Sequence, residues 1–186
     1  FGQYIVPYDP YVQDLNNALQ APSGNHLLGT DRYGRDLFTR IIIGTQTTIF
    51  SALALVAGIT IVGTIVGIIC GYVGGWVDSL LMRISDIFLA FPEMVFAIAI
   101  AGVLNGGIWS AAIAVGLIAW PRYARVARSQ VLAMKNHQYM NAAKLTGTPW
   151  YKMIVKHIMP NIMGPIIVTA ALDIGAMIMN LAGLSY

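Results

Sequence analysis

The sequence predicts an all-α integral membrane fold, and three observations carry that prediction. Residues are 57% hydrophobic and only 10% charged, against roughly 25% charged in a soluble domain. Uncharged runs extend from Ile41 to Val77, from Met94 to Pro121 and, interrupted only by Asp173, from Ile158 to Tyr186. About 20 mostly apolar residues suffice to cross about 30 Å of hydrocarbon. Finally, Arg122, Arg125, Arg128, Lys135, Lys144, Lys152 and Lys156 place seven of the 11 Lys and Arg residues in one stretch that holds no Asp or Glu. Lys and Arg collect in loops that stay on the cytoplasmic side. The basic island therefore marks the chain as membrane-embedded and orients it.

The elements follow in order. Residues Phe1 to Arg40 are polar and rich in turn formers, with Pro7, Pro10 and Pro22. Asp36 to Gly44 reads as a short amphipathic entry, so 1–46 forms an extracytoplasmic segment and 47–186 the membrane domain. A first span is expected from about Thr47 to Gly71, then a short link carrying Gly74, Gly75, Asp78 and Arg83. A second span runs from about Ile87 to Leu104, with Pro92 in its first turns, and Asn105-Gly106-Gly107 forms a tight turn. The third span covers about Ile108 to Ala127. A cytoplasmic loop occupies about 128–160, and a fourth span covers about Ile162 to Leu184. With the island inside, the third span runs outside to inside, and so does the first. The chain opens at Phe1 on a polar stretch without signal-peptide character and closes on an apolar run, so it is expected to be a piece of a longer protein.

Composition narrows the function. The net charge of +3 comes from the island, and basic and aromatic residues do not interleave as they do on single-strand binders; no nucleic-acid partner is expected. The single Cys70 lies in an apolar run and reads as a small core residue. His26, His137 and His157 fit no metal-ligand spacing. The absence of a nucleophile–base pair predicts no catalysis, and a phosphate-binding loop of the G-x-x-x-x-G-K-[ST] type is lacking. Any energy source is expected in another subunit, so no cofactor is assigned to this chain.

Three features inside the island and spans carry more. Gly63, Gly67 and Gly71 recur every four residues on one helix face, where the lack of a Cβ permits close helix approach; packing within the chain and a second subunit are both open. Asp173 is the ionisable residue of the last span, costly in lipid, and is expected to line a path or to bond a neighbouring helix, with Met177 beside it. In the island, Ala142-Ala143-Lys144-Leu145 suits a helix, Gly147-Thr148-Pro149 breaks it, and Trp150 to Ile158 suits a second helix that ends before Pro160.

These motifs converge on a resemblance. Asn141-Ala142-Ala143-x-x-x-Gly147, with Pro160 thirteen residues after the glycine, resembles the "EAA" coupling loop of permease subunits in bacterial ABC importers. His26-Leu27-Leu28-Gly29-Thr30-Asp31-x-x-Gly34-Arg35-Asp36 is similar to a signature of the peptide and nickel subfamily. So are Gly71-Tyr72-x-Gly74-Gly75-x-x-Asp78-x-x-x-x-Arg83, Phe91-Pro92, Pro160-Asn161 and Ala182-Gly183-Leu184-Ser185. The resemblance implies a second-permease subunit, multi-pass in the bacterial cytoplasmic membrane, with a multi-span permease core and a two-helix coupling loop. It further implies that a first and a last span are missing here. The implied partners are a second permease, two cytoplasmic ATPases that bind the ATP, an extracytoplasmic substrate-binding protein and membrane lipid. Asn141, Ala142, Ala143, Gly147 and Pro160 would form the ATPase contact, with Asn141 standing where the family usually has Glu. The cargo would be nickel or di- and oligopeptides, with Leu172-Asp173-Ile174-Gly175 leaning towards nickel. A passive channel and a membrane-embedded enzyme are the rival classes. The first does not need the two-helix loop, and the second needs a nucleophile and base on facing spans.

Overall fold

The computed structural model describes residues 6–104 and 107–184; the expected turn residues Asn105 and Gly106, and Ser185 of the closing motif, lie outside them. The chain divides into two compact units, Phe1–Phe50 and Ser51–Tyr186.

In the first unit, one carboxylate organises the loop. Asp31 accepts from the backbone N–H of Tyr33 at 2.8 Å and of Arg35 at 3.0 Å, and from Arg35 Nε at 2.9 Å. Arg40 also donates to it. Arg35 and Arg40 thus share one carboxylate. Thr30 accepts from the N–H of Gln20 at 2.9 Å and donates to the Asn17 carbonyl, tying two turns together. Asp36 caps the following helix: its Oδ2 accepts from the Thr39 N–H at 2.8 Å, and its Oδ1 faces His26 Nδ1 at 3.0 Å. Such a cap satisfies one of the free donors of a helix start. Burial pushes the Asp31 carboxyl up, but the hydrogen bonds from Arg35 and Tyr33 and the Arg35 charge outweigh it, leaving the pKa at about 2 against 3.8. A depressed folded value stabilises above the unfolded value and is lost as pH falls through the folded one. Protease resistance of this loop is therefore expected to hold above pH 3.8 and to fall towards pH 2, and Asp31→Asn should abolish that pH step.

Helix α1 spans Leu37–Val73, α2 Gly75–Leu89, α3 Glu93–Val103, α4 Ile108–Lys135, α5 Gln138–Leu145, α6 Trp150–Met153 and α7 Met159–Leu184; a π-helical turn, Ile154–Ile158, joins the last two. The expected amphipathic entry is not separate. It is the start of α1, because Gly44 costs a helix only about 1 kcal/mol and nothing nearby breaks it. At about 1.5 Å per residue, α1 is longer than the hydrocarbon is thick.

The second expected span is also revised. Gly74 and Gly75, at φ +71° and +61°, turn the chain sharply after α1. The charged link is then helical as α2. The α2–α3 pair breaks at Ala90–Pro92 and bends by 88°, since Pro92 cannot donate to a preceding carbonyl and its ring crowds that turn. α1 and Trp150–Leu184 are long and apolar enough to cross a membrane, and α2–α3 is a third candidate if the bent pair counts as one. The expected third span does not meet that measure: the apolar part of α4 stops at Trp120, where Arg122, Arg125 and Arg128 begin.

Within 51–186, α4 is the central element. A Cβ on Gly63 would meet the Trp120 carbonyl at 2.7 Å and Tyr123 Cβ; on Gly67, Ala127 Cβ at 2.6 Å; on Gly71, Val131 Cβ at 2.7 Å. The contact partners advance along both helices together, so α1 and α4 run parallel. Above the glycines, Leu55 and Ile59 join Ala97 and Ala101 of α3, Ala111, Ala114 and Val115 of α4, and Met177 and Leu181 of α7 in one core. Its alanines allow the close approach that stabilises helix pairs in lipid. Cys70 is fully buried. A second core gathers Ile68, Ala127, Val131 and Met134 with Met140, Met153, Ile158, Ile162 and Ile166. The start of α7 meets the end of α4, and the two run antiparallel.

Candidate functional site

The basic island proves to be two things. Its first four cations are bound inside the unit. Arg122 Nη1 donates to Asp173 Oδ1 on α7 at 3.0 Å, and Arg125 pairs with Asp86 on α2. Arg128 grips Asp78 of α2 through both Nε and Nη2, the latter at 2.6 Å, the two-pronged geometry that makes such pairs strong. Lys135 Nζ donates to the Tyr72 carbonyl at 2.8 Å, satisfying the C-terminal end of α1 where helix carbonyls lack partners. Lys144, Lys152 and Lys156 have no acidic partner among the described residues.

Lys144 lies on α5, Lys152 on α6 and Lys156 on the π-helical turn that follows. α4 extends to Lys135, deeper into the expected loop than the sequence predicts, and α5 follows after Asn136 and His137. Met140 is the one buried residue of α5 and plugs it into the second core beside Met134, Met153 and Ile158. The opposite side stays open: Asn141 and Ala142 are exposed, Ala143 is half-buried, and Leu145 is 89% exposed. Tyr139 stacks on His137 with centroids 5.8 Å apart. The N–H of Thr146 donates to Ala142 O, of Gly147 to Lys144 O, and of Thr148 to Ala143 O, which closes α5. Gly147 has φ +73° with open space where a Cβ would stand, so a side chain there is opposed by backbone conformation and not by crowding.

The second short helix does not stop before Pro160. Trp150 to Leu184 is continuous, because the wider π-helical turn Ile154–Ile158 precedes a proline that has no N–H to give. Asn161 Nδ2 donates to the His157 carbonyl at 2.7 Å just there. Pro160 is exposed on this continuous helix, so it marks no boundary between loop and span.

Both candidate path residues are buried within the chain. Asp173 is 8% exposed and has two partners in its own chain, Arg122 and the Tyr123 hydroxyl at 2.9 Å. The charge is met by α4: this is the neighbouring-helix bond, one of the two expectations for this residue. Met177 is 2% exposed and packs in the first core. Gly63, Gly67 and Gly71 lie against α4 as described above, a face therefore occupied within the chain. The sequence reading singled out neither Tyr123 nor the Asp78 and Asp86 pairs; the signal was that acids and arginines in apolar surroundings need partners. Also unrecognised was Glu93, whose Oε1 accepts from Asn180 Nδ2 at 3.4 Å.

Residues 63–186 match the family described as binding-protein-dependent transport system inner membrane component. The chain is 38% identical over 186 residues to the probable D,D-dipeptide transport system permease protein DdpC of Escherichia coli (strain K12), covering 100% of this chain and 62% of that protein. It is 41% identical over 171 residues to the dipeptide transport system permease protein DppC of Alkalihalophilus pseudofirmus, covering 92% and 56%. The nickel transport system permease protein NikC of Escherichia coli (strain K12) is 35% identical over 185 residues, covering 100% and 67%. The chain thus spans about three-fifths of the length of the first two of these relatives. The match over 63–186 takes in the glycine face, the arginine pairs of α4 and the α5 projection, and the chain belongs to the family of binding-protein-dependent transport system inner membrane components.

Proposed function

We propose that this chain is a permease subunit of an ATP-driven importer, multi-pass in a bacterial cytoplasmic membrane, and that it forms half of a translocation path. α5 is the contact for a separate ATPase. The observation that carries this reading is the construction of α5: one methionine anchors it, while Asn141, Ala142 and Leu145 stand free on a short helix beside unpaired lysines. Small residues on a projecting helix permit close docking, and a contiguous packed contact is what lets movement pass from one protein to another. Met140, Met134 and Met153 provide that continuity into α4 and α7. The unpaired lysines also support a cytoplasmic position for this end.

The remaining partners are a second permease completing the path, two ATPases that bind and hydrolyse ATP, and an extracytoplasmic substrate-binding protein. The cargo belongs to the classes named for the relatives, short peptides or nickel. Uptake of radioactive nickel and of a radiolabelled dipeptide should be compared in cells lacking this chain and in cells where it is restored. Restoration is expected to recover ATP-dependent uptake of one cargo. Recovery of neither would sink the importer reading, and recovery without ATP would favour a passive channel.

A further inference from the structure

The break between α2 and α3 is exposed at Ala90, Phe91 and Pro92, with Phe91 at 53%. A break leaves the last carbonyls of one helix and the first N–H groups of the next without helical partners. Hydrocarbon cannot satisfy them, so irregular backbone at membrane depth faces protein or water and not lipid. Phe91 stacks on Phe96 with centroids 5.2 Å apart, and Phe88 meets Trp120 of α4 at 5.8 Å. The elbow is thus held firmly against α4 while the Phe91 ring remains on its open side.

Glu93 opens α3 at this elbow. The other acids of 51–186, Asp78, Asp86 and Asp173, each hold an arginine of α4. Glu93 has no cationic partner among the described residues and is bonded only by the amide of Asn180. α3 is otherwise apolar, and a carboxylate left unneutralised on such a helix is a mark of a substrate or ion pathway.

The geometry points to the α2–α3 elbow as a wall of the translocation path, where Glu93, positioned by Asn180, contacts the positively charged part of the cargo. That inference rests on the importer reading. It assigns to this chain a cargo contact that recognises a cation, which is either the ammonium end of a short peptide or the nickel ion. Phe91 flanks the carboxylate and narrows the approach to it.

The test uses the complete importer, with second permease, ATPases and binding protein, reconstituted in vesicles with nickel and a dipeptide as alternative probes. Glu93→Gln should lower uptake of the transported probe about tenfold or more, as loss of a charged hydrogen-bond partner does. Glu93→Asp should restore part of it, and ATPase co-purification should not change in either. Whichever probe the parent carries identifies the cation. In a Cys70→Ala background, Phe91→Cys should react with a charged, water-soluble thiol reagent, and saturating cargo should slow that reaction. Normal uptake by Glu93→Gln would show that the carboxylate only complements the start of α3, and would overturn the contact. Labelling of Phe91→Cys solely by a lipid-soluble reagent would overturn the path assignment. If the parent complex neither assembles nor transports, the importer reading itself fails and this inference goes with it.

Discussion

Gly67→Leu is expected to force α1 away from α4 and to lower the melting temperature of the purified protein more than any other single change in the glycine face. A Cβ at Gly67 would meet the Ala124 carbonyl, Ala127 Cβ at 2.6 Å and Arg128 N at 2.9 Å. None of these atoms can swing aside, since two are backbone and the third is fixed to it. Overpacking a tight contact costs typically about 1–3 kcal/mol, and this contact has no flexible atom to absorb it. Arg128 is also tied to Asp78, so a shift of α4 here disturbs α2 as well. Gly58 serves as the comparison, because nothing lies within 4 Å of its Cβ position; Gly58→Ala should leave the melting temperature unchanged or slightly raised. Equal melting of Gly67→Leu and the parent would mean that α1 and α4 do not pack along these glycines.

Asp173→Leu is expected to destabilise the chain first and to affect transport through that loss. The substitution leaves the fully buried Tyr123 hydroxyl without its acceptor and Arg122 without its counter-charge. An orphaned buried hydroxyl costs about 1–3 kcal/mol. The Arg122 side chain is 52% exposed, so its charge keeps other contacts, and the total stays below the roughly 3–5 kcal/mol of a fully buried broken pair. Adding Arg122→Leu should recover part of the loss, and the double-mutant cycle of melting temperatures measures the coupling. An Asp173→Leu protein as stable as its parent but unable to transport would return Asp173 to the path.

What the sequence disclosed and what it hid divide along the range of the interactions involved. The α5 helix and its glycine stop were legible because Ala142-Ala143 and Gly147-Thr148-Pro149 are local signals. The four-residue spacing of Gly63, Gly67 and Gly71 disclosed a close-packing face, but not that Tyr123, Ala127 and Val131 occupy it, since they lie some sixty residues away. Arg122, Arg125 and Arg128 read as a cytoplasmic charge cluster. Their acids, Asp173, Asp86 and Asp78, are 39 to 51 residues distant, and pairing at that range is a tertiary fact. Proline misled in both directions. Pro92 ends one helix and starts another, whereas Pro160 is carried through by a π-helical turn that no local pattern announces.

The most direct test of the account is the amount of ATPase subunit that co-purifies with Ala143→Arg and with Gly147→Val. Ala143 is half-buried on the small-residue side of α5, so arginine adds bulk and charge to the proposed contact. Gly147 at φ +73° resists a β-branched residue, and valine there should redirect the chain between α5 and α6. Both substitutions lie away from the glycine face, and both variants should be made and inserted like the parent. The account predicts that both lose most of the bound ATPase and, with it, ATP-dependent uptake. Parental amounts of ATPase on both variants, with parental uptake, would contradict it and place the coupling contact elsewhere on the chain.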